Sequence, residues 1–207
     1  MAIVIDTGTG GAATYTDLQA DIARWMNRTD LTTDIPTFIA HAESRIATDL
    51  RLRKMLVSIT INAAASQSAS LPAGWLDFKS LAIDRRPLSF MPQEMLAERS
   101  RCRTGRPGFY TIVGGDVILD QVPSVAYSID TVYYKRLDPL FQSSSNWLLT
   151  DHPNVYLYAA LTEGALFLKK PDEAATWAAL YGGLIESLRS EDKRATSSGS
   201  TLRMRRR

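Results

Sequence analysis

The chain has 207 residues, 45% apolar and 22% charged, enough for one domain, or one domain with an insertion, that buries about 70% of its unfolded surface. Net charge is +2, but residues 195–207 carry four arginines and no acid. The rest of the chain therefore stands at −2, which argues against a dedicated nucleic-acid binder. The single cysteine excludes an internal disulfide and fits a reducing compartment, and no apolar run approaches the roughly 20 residues that span a bilayer.

Residues 1–13 read as an N-terminal arm. Its short apolar run, Ala2 to Ile5, suits an edge strand or an arm laid on a neighbour. The arm lacks the basic start and long apolar core of a secretory signal. Gly8, Gly10 and Gly11 match neither phosphate-loop fingerprint, and no Lys-Ser/Thr pair follows.

Thr14 to Arg53 reads as two helices joined by a polar turn, Asn27 to Thr33. Leu18, Ile22, Trp25 and Met26 share one face of the first helix. Thr16 and Gln19 have capping-box spacing at its start. The second helix takes Asp34 as its N-cap and Pro36 in its first turn. Its stripe is Ile35, Phe38, Ile39, Ala42, Ile46 and Leu50.

The period then changes. Leu56, Val57, Ile59 and Ile61 alternate with polar residues, as in a strand. A loop at Ala63 to Ser70 leads to a turn at Leu71 to Trp75 and a strand through Phe78 to Ile83. Asp84 to Pro87 is another turn, and Gln93 to Arg101 a brief helix. The run Arg99 to Arg106 places Arg99, Arg101, Arg103 and Arg106 in eight residues. It reads as a solvated loop or as a patch meeting phosphate or a subunit. Cys102 lies between two of these arginines, which favours its thiolate; without an accompanying His or Asp pattern it reads as a bystander. Phe109 to Val113 and Val117 to Leu119 flank a Gly-Gly-Asp turn, a hairpin signal. Tyr127, Ile129, Thr131 and Tyr133 form the last alternating strand.

Past a connection ending in three serines, Asp151 is the expected N-cap of a helix from Pro153 to Lys169. Pro171 starts another, with Ala174, Trp177, Ala178, Tyr181, Leu184, Ile185 and Leu188 on one face. Gly182-Gly183 weakens it and would admit a close backbone. The expected fold is α+β. A four-helix bundle (14–55 and 146–193) carries an inserted small antiparallel β unit (56–145) and ends in a flexible C-terminal tail (194–207).

No catalytic, cofactor-binding or metal-binding residue is assigned, and no cofactor is expected. His41, Cys102 and His152 lack metal-site spacing. No serine sits in a nucleophile elbow. Glu43 and Asp49 are six apart and do not share a helical face. The four tryptophans are not interleaved with basic residues as a single-strand-binding surface requires.

One set of residues, taken in order, is familiar. It begins with Tyr15-Thr16-Asp17-Leu18-Gln19, Arg28-Thr29-Asp30-Leu31, Ile35-Pro36-Thr37-Phe38-Ile39 and Glu43. It continues with Leu71-Pro72, Trp75-Leu76, Gly105-Arg106-Pro107, Tyr110 and Tyr133-Tyr134. It closes with Asn146-Trp147-Leu148-Leu149, Pro153, Tyr156-Leu157-Tyr158 and Lys170-Pro171-Asp172. With these, the chain from Tyr15 to Leu188 resembles the head-to-tail adaptors of short-tailed bacteriophages, the tail tubular protein A-like group. The resemblance implies a non-enzymatic virion part made in the host cytoplasm. It implies a dodecameric homo-oligomeric ring that joins portal protein to tail or nozzle proteins. DNA would pass through without sequence-specific binding, and no membrane would be involved. The tail residues Leu202, Arg203, Met204, Arg205, Arg206 and Arg207 are then expected to hold the portal, and the Arg99–Arg106 run to meet a subunit or phosphate. The alternative is a nucleic-acid-binding protein using the basic tail and that same run.

Overall fold

In a computed structural model of the chain, residues 14–63, 66–99 and 104–197 are described. They divide into two compact units. One holds the described parts of Met1–Arg51 and Leu137–Arg207, the other those of Leu52–Arg136.

The first unit is helical. It contains α1 (Tyr15–Met26), α2 (Ile35–Asp49), α4 (Leu140–Ser143), α5 (Trp147–Asp151), α6 (Pro153–Phe167) and α7 (Pro171–Ser197). In α1 the capping box lies two residues earlier than expected: Thr14 accepts from the Asp17 N–H, and Asp17 accepts from the Thr14 N–H at 3.1 Å. Thr14 is extended, as an N-cap must be, whereas Thr16 is already helical. Asp34 does precede α2 but caps nothing with its side chain. The turn before it is already helical, with the Asp34 and Ile35 N–H groups both donating to the Leu31 carbonyl. Asp151 ends α5 instead of capping α6, and His152 takes the cap position without a side-chain bond.

The expected four-helix bundle is not formed. Such a bundle needs four helices that each bury one stripe. Here α6 is apolar on every side: Val155, Tyr156, Leu157, Ala159, Ala160, Leu161, Thr162, Gly164 and Ala165 are all buried. A helix with no polar face belongs in the middle of its neighbours, and α1, α2, α5 and α7 all pack on α6. Among the described residues the whole is α+β, with seven α-helices and three sheets.

Gly164 sets how closely α6 is approached. A Cβ there would lie 2.8 Å from Met26 Cε and 3.5 Å from the Phe38 ring. The Met26 tip can move, and alanine is the better helix former by about 1 kcal/mol, so Gly164→Ala should be close to neutral. Gly164→Leu should cost about 2–3 kcal/mol by overpacking. At Gly182 and Gly183 an added Cβ meets nothing within 4 Å, so the expected close backbone approach does not occur there among the described residues. Alanine at either should stabilise α7 by about 1 kcal/mol. Urea unfolding of the four variants checks this ordering.

The second unit opens with a 3-10 turn at Arg53–Met55 and is otherwise β-rich. Its strands are β1 (Leu56–Ala63), β2 (Ser68–Ser70), β3 (Trp75–Ile83), β4 (Arg86–Pro87), β5 (Ser89–Phe90), β6 (Thr104–Gly105), β7 (Phe109–Val113), β8 (Asp116–Leu119), β9 (Val122–Pro123) and β10 (Tyr127–Lys135). One short helix, α3 (Gln93–Arg99), interrupts them. The strands make sheets in the orders β1-β10-β3-β4 and β2-β8-β7-β5, with β6 and β9 as a small third pair. All pairs are antiparallel except β5–β7 and β6–β9. Asp84 and Arg85, both at positive φ (48° and 65°), turn β3 into β4, the conformation that matches the twist of a two-residue hairpin. The core lies between the two larger sheets. Leu81, Ile83 and Ile129 come from one, Val117 and Leu119 from the other, with Leu88 beside them.

Candidate assembly surfaces

Four groups of residues matter for what the molecule can bind. The first is a part-buried polar network around the buried Tyr156 and Tyr181, where the sequence shows only scattered letters. Asn146 extends before α5 and accepts from the Leu149 N–H at 3.0 Å. Its amide donates to the Asp138 carbonyl at 3.3 Å and to the Tyr156 hydroxyl at 2.9 Å. Glu43, from α2, accepts from the first N–H of α4, that of Leu140, at 2.8 Å. Burial pushes the Tyr156 phenol well above its ordinary range, with Glu43 adding to the effect and Asn146 opposing it. Farther along α2, Asp49 accepts from the Tyr181 hydroxyl at 2.8 Å, and Arg189 donates to the Asp49 carbonyl at 2.6 Å. Burial and then Asp49 raise the Tyr181 phenol too. These bonds fix the turn Leu137–Asn146 and tie α7 to α2. Nothing in them resembles a reacting pair.

The second group is apolar and exposed. Trp25 stands half exposed at the end of α1. Its ring meets Trp177 at 5.5 Å and Tyr158 at 6.2 Å, edge to face, and Tyr158 stacks on Trp177 at 5.8 Å. Phe167, also exposed, leans on Phe38 at 5.3 Å. Leu166, Leu180 and Phe141 are exposed as well, Phe141 to 81%. An isolated surface leucine needs no explanation. A tryptophan edge, two phenylalanines and two leucines are thus exposed on this unit, candidates for contact with a partner. Sequence reasoning placed Trp25 on the buried stripe and missed Phe141. Phe141 follows Leu140 in the connection Leu137 to Ser145, and the sequence does not say which of the two is buried.

The third group is the arginine run, of which Arg101 and Arg103, with Cys102, lie outside the described residues. The two described arginines are committed within their own unit. Arg99 Nε sits 3.6 Å from Asp120, and its guanidinium lies 4.6 Å over the Phe109 ring. Arg106 donates to the Ile83 carbonyl and stands 3.8 Å from Asp84. Asp120 is the centre: it is 1% exposed and accepts from the N–H groups of Gly108 and Phe109 at 2.9 and 3.1 Å. The fourth group is the tail. Leu202, Arg203, Met204 and Arg205 to Arg207 all lie outside the described residues.

His41 is exposed on α2, and His152 lines a cleft of ≈ 150 Å³ with Asp151, Leu184, Leu188 and Glu191. Among the described residues no three His, Cys, Asp or Glu side chains come together to hold a metal ion, and no helix is long and apolar enough to cross a membrane.

No curated protein sequence matches the chain. A family model does, that of the SU10 adaptor protein, over residues 13–205. The match takes in both compact units and most of the basic tail, so the chain belongs to the SU10 adaptor protein family, a family of bacteriophage adaptors.

Proposed function

We propose that this adaptor works at the head-to-tail interface of the virion, as a subunit of a ring, dodecameric by resemblance to the tail tubular protein A-like group, between the portal vertex and the tail or nozzle. DNA passes through the ring without sequence-specific contact. The observation that carries the reading is the family match over 13–205. Exposed apolar side chains on the helical unit support it. A ring subunit needs two different faces for its two neighbours, a heterologous contact that closes by rotation. The tail supports it as well, with Leu202 and Met204 as apolar anchors among four arginines that suit acidic portal groups. Chemistry on a substrate forms no part of the proposal.

The test is to image the purified protein mixed with its portal, beside a form lacking residues 198–207. The full chain should form rings on the portal. The shortened chain should stay folded and lose portal binding at least tenfold. Full retention of binding would take the tail out of the mechanism. The nucleic-acid alternative is weaker once Arg99 and Arg106 are seen engaged with Asp120 and Asp84. It would require DNA affinity that falls steeply with salt, so a filter-binding titration at two salt concentrations separates the two.

A further inference from the structure

The sheet β1-β10-β3-β4 has one long outer strand, and it is undefended. β1 runs eight residues, whereas the other outer strands of the two larger sheets, β4, β2 and β5, have two, three and two. It pairs with β10 without a register shift, from Leu56↔Tyr134 to Ala63↔Tyr127. Among the described residues nothing pairs with its other side. Alternate residues of such a strand turn N–H and C=O groups outward, a template for another strand. Proteins usually blunt these edges with charge, proline, a bulge or brevity. The sequence LVSITINA has no charged residue, proline or glycine, and it has length. Its Ser58, Thr60 and Asn62 are exposed, while Ile61 packs on the core of the unit. A strand added beside β1 would extend that core-facing side.

The chain holds one segment outside the described residues that suits this edge. Residues 64–65 and 100–103 are too short, and 198–207 carries four arginines that β1 has no acid to meet. The arm has Ile3-Val4-Ile5, β-branched and uncharged, the composition strands favour. Ile3 and Ile5 are two apart and so fall on one face of a strand. Asp6 to Ala13 is rich in Gly and Thr and can span up to about 28 Å, enough to leave the subunit it belongs to.

We infer that residues Ala2–Ile5 add as a fifth strand to the outer edge of β1 in the neighbouring copy. The inference rests on the ring reading above: arm and edge are different surfaces, so the contact is heterologous, the type that repeats around a closed ring. Each subunit gives one strand and receives one, in the manner of β-strand addition.

The test uses the full chain in a Cys102→Ser background. One protein carries Val4→Cys and another Thr60→Cys. They are mixed, assembled on the portal and treated with a short bis-maleimide. Cross-linked pairs are expected in the mixture and in neither protein alone. A doubly substituted chain, diluted tenfold with unsubstituted protein, should lose most of its cross-linked pairs. If it instead cross-links within itself at any dilution, the arm covers its own edge and the inference is overturned. Rings imaged on the portal with no cross-linked pair overturn the arm and leave the ring standing. Cross-linked pairs in free protein without rings keep the strand contact and remove the ring reading. As a second measure, Ile3→Lys with Ile5→Lys should slow ring assembly at least fivefold while far-UV circular dichroism stays unchanged. Unaltered assembly would count against the inference.

Discussion

Asp120→Ala should destabilise the β-rich unit by about 3 kcal/mol, the largest effect of any single polar substitution there. The carboxylate is 1% exposed and satisfies two backbone N–H groups, those of Gly108 and Phe109, just before β7 and at its start. Removing it leaves both part-buried donors without this acceptor, at about 1–2 kcal/mol each. Its partner Arg99 is half exposed, so the ion pair itself contributes less than those two bonds. Two controls follow from that reasoning. Asp120→Asn keeps an acceptor oxygen and should lose only about 1 kcal/mol. Arg99→Ala should cost about 1 kcal/mol or less, part of it from the lost contact with Phe109. Urea unfolding, with hydrogen exchange read at the amides of β7 and β8, distinguishes the three. If Ala and Asn prove equally stable, the acceptor role assigned to Asp120 is wrong.

Tyr156→Ala should cost the helical unit about 3–5 kcal/mol. Tyr156 is 1% exposed and sits on α6, the helix that four others pack against. Tyr156→Phe keeps the ring and removes the acceptor for Asn146, so about 1 kcal/mol is expected. Asn146→Ala removes that bond and the cap of α5 together, for about 1–2 kcal/mol. Because Asn146 and Tyr156 share a bond, the double variant Asn146→Ala with Tyr156→Phe should cost less than the sum of the singles. Strict additivity would mean the 2.9 Å contact contributes nothing to stability. Thermal unfolding followed by the three tryptophans of this unit is a suitable readout. The β-rich unit should be little affected, since it has its own core.

The local pieces are legible in the residues alone. The stripe Ile35, Phe38, Ile39, Ala42, Ile46, Leu50 is buried at every position, because a 3.6-residue period of large apolar groups has one low-energy placement. Alternation marked β1 and β10, and prolines marked the starts of α6 and α7. The order of small motifs also pointed to phage adaptors, the kind of family the chain belongs to. The remainder depends on which distant groups meet in the fold. Periodicity says that a helix is apolar but not what surrounds it, so the expected bundle gives way to α6 packed among α1, α2, α5 and α7. The partner of Glu43 is not legible in the sequence: it is the N–H of Leu140, 97 residues on. The run Arg99–Arg106 reads as a solvated loop or a patch for phosphate or a subunit, whereas the fold gives Arg99 and Arg106 Asp120, Phe109 and the Ile83 carbonyl. A polar side chain's role is set by its partner, and partners far apart in the chain are chosen by the fold.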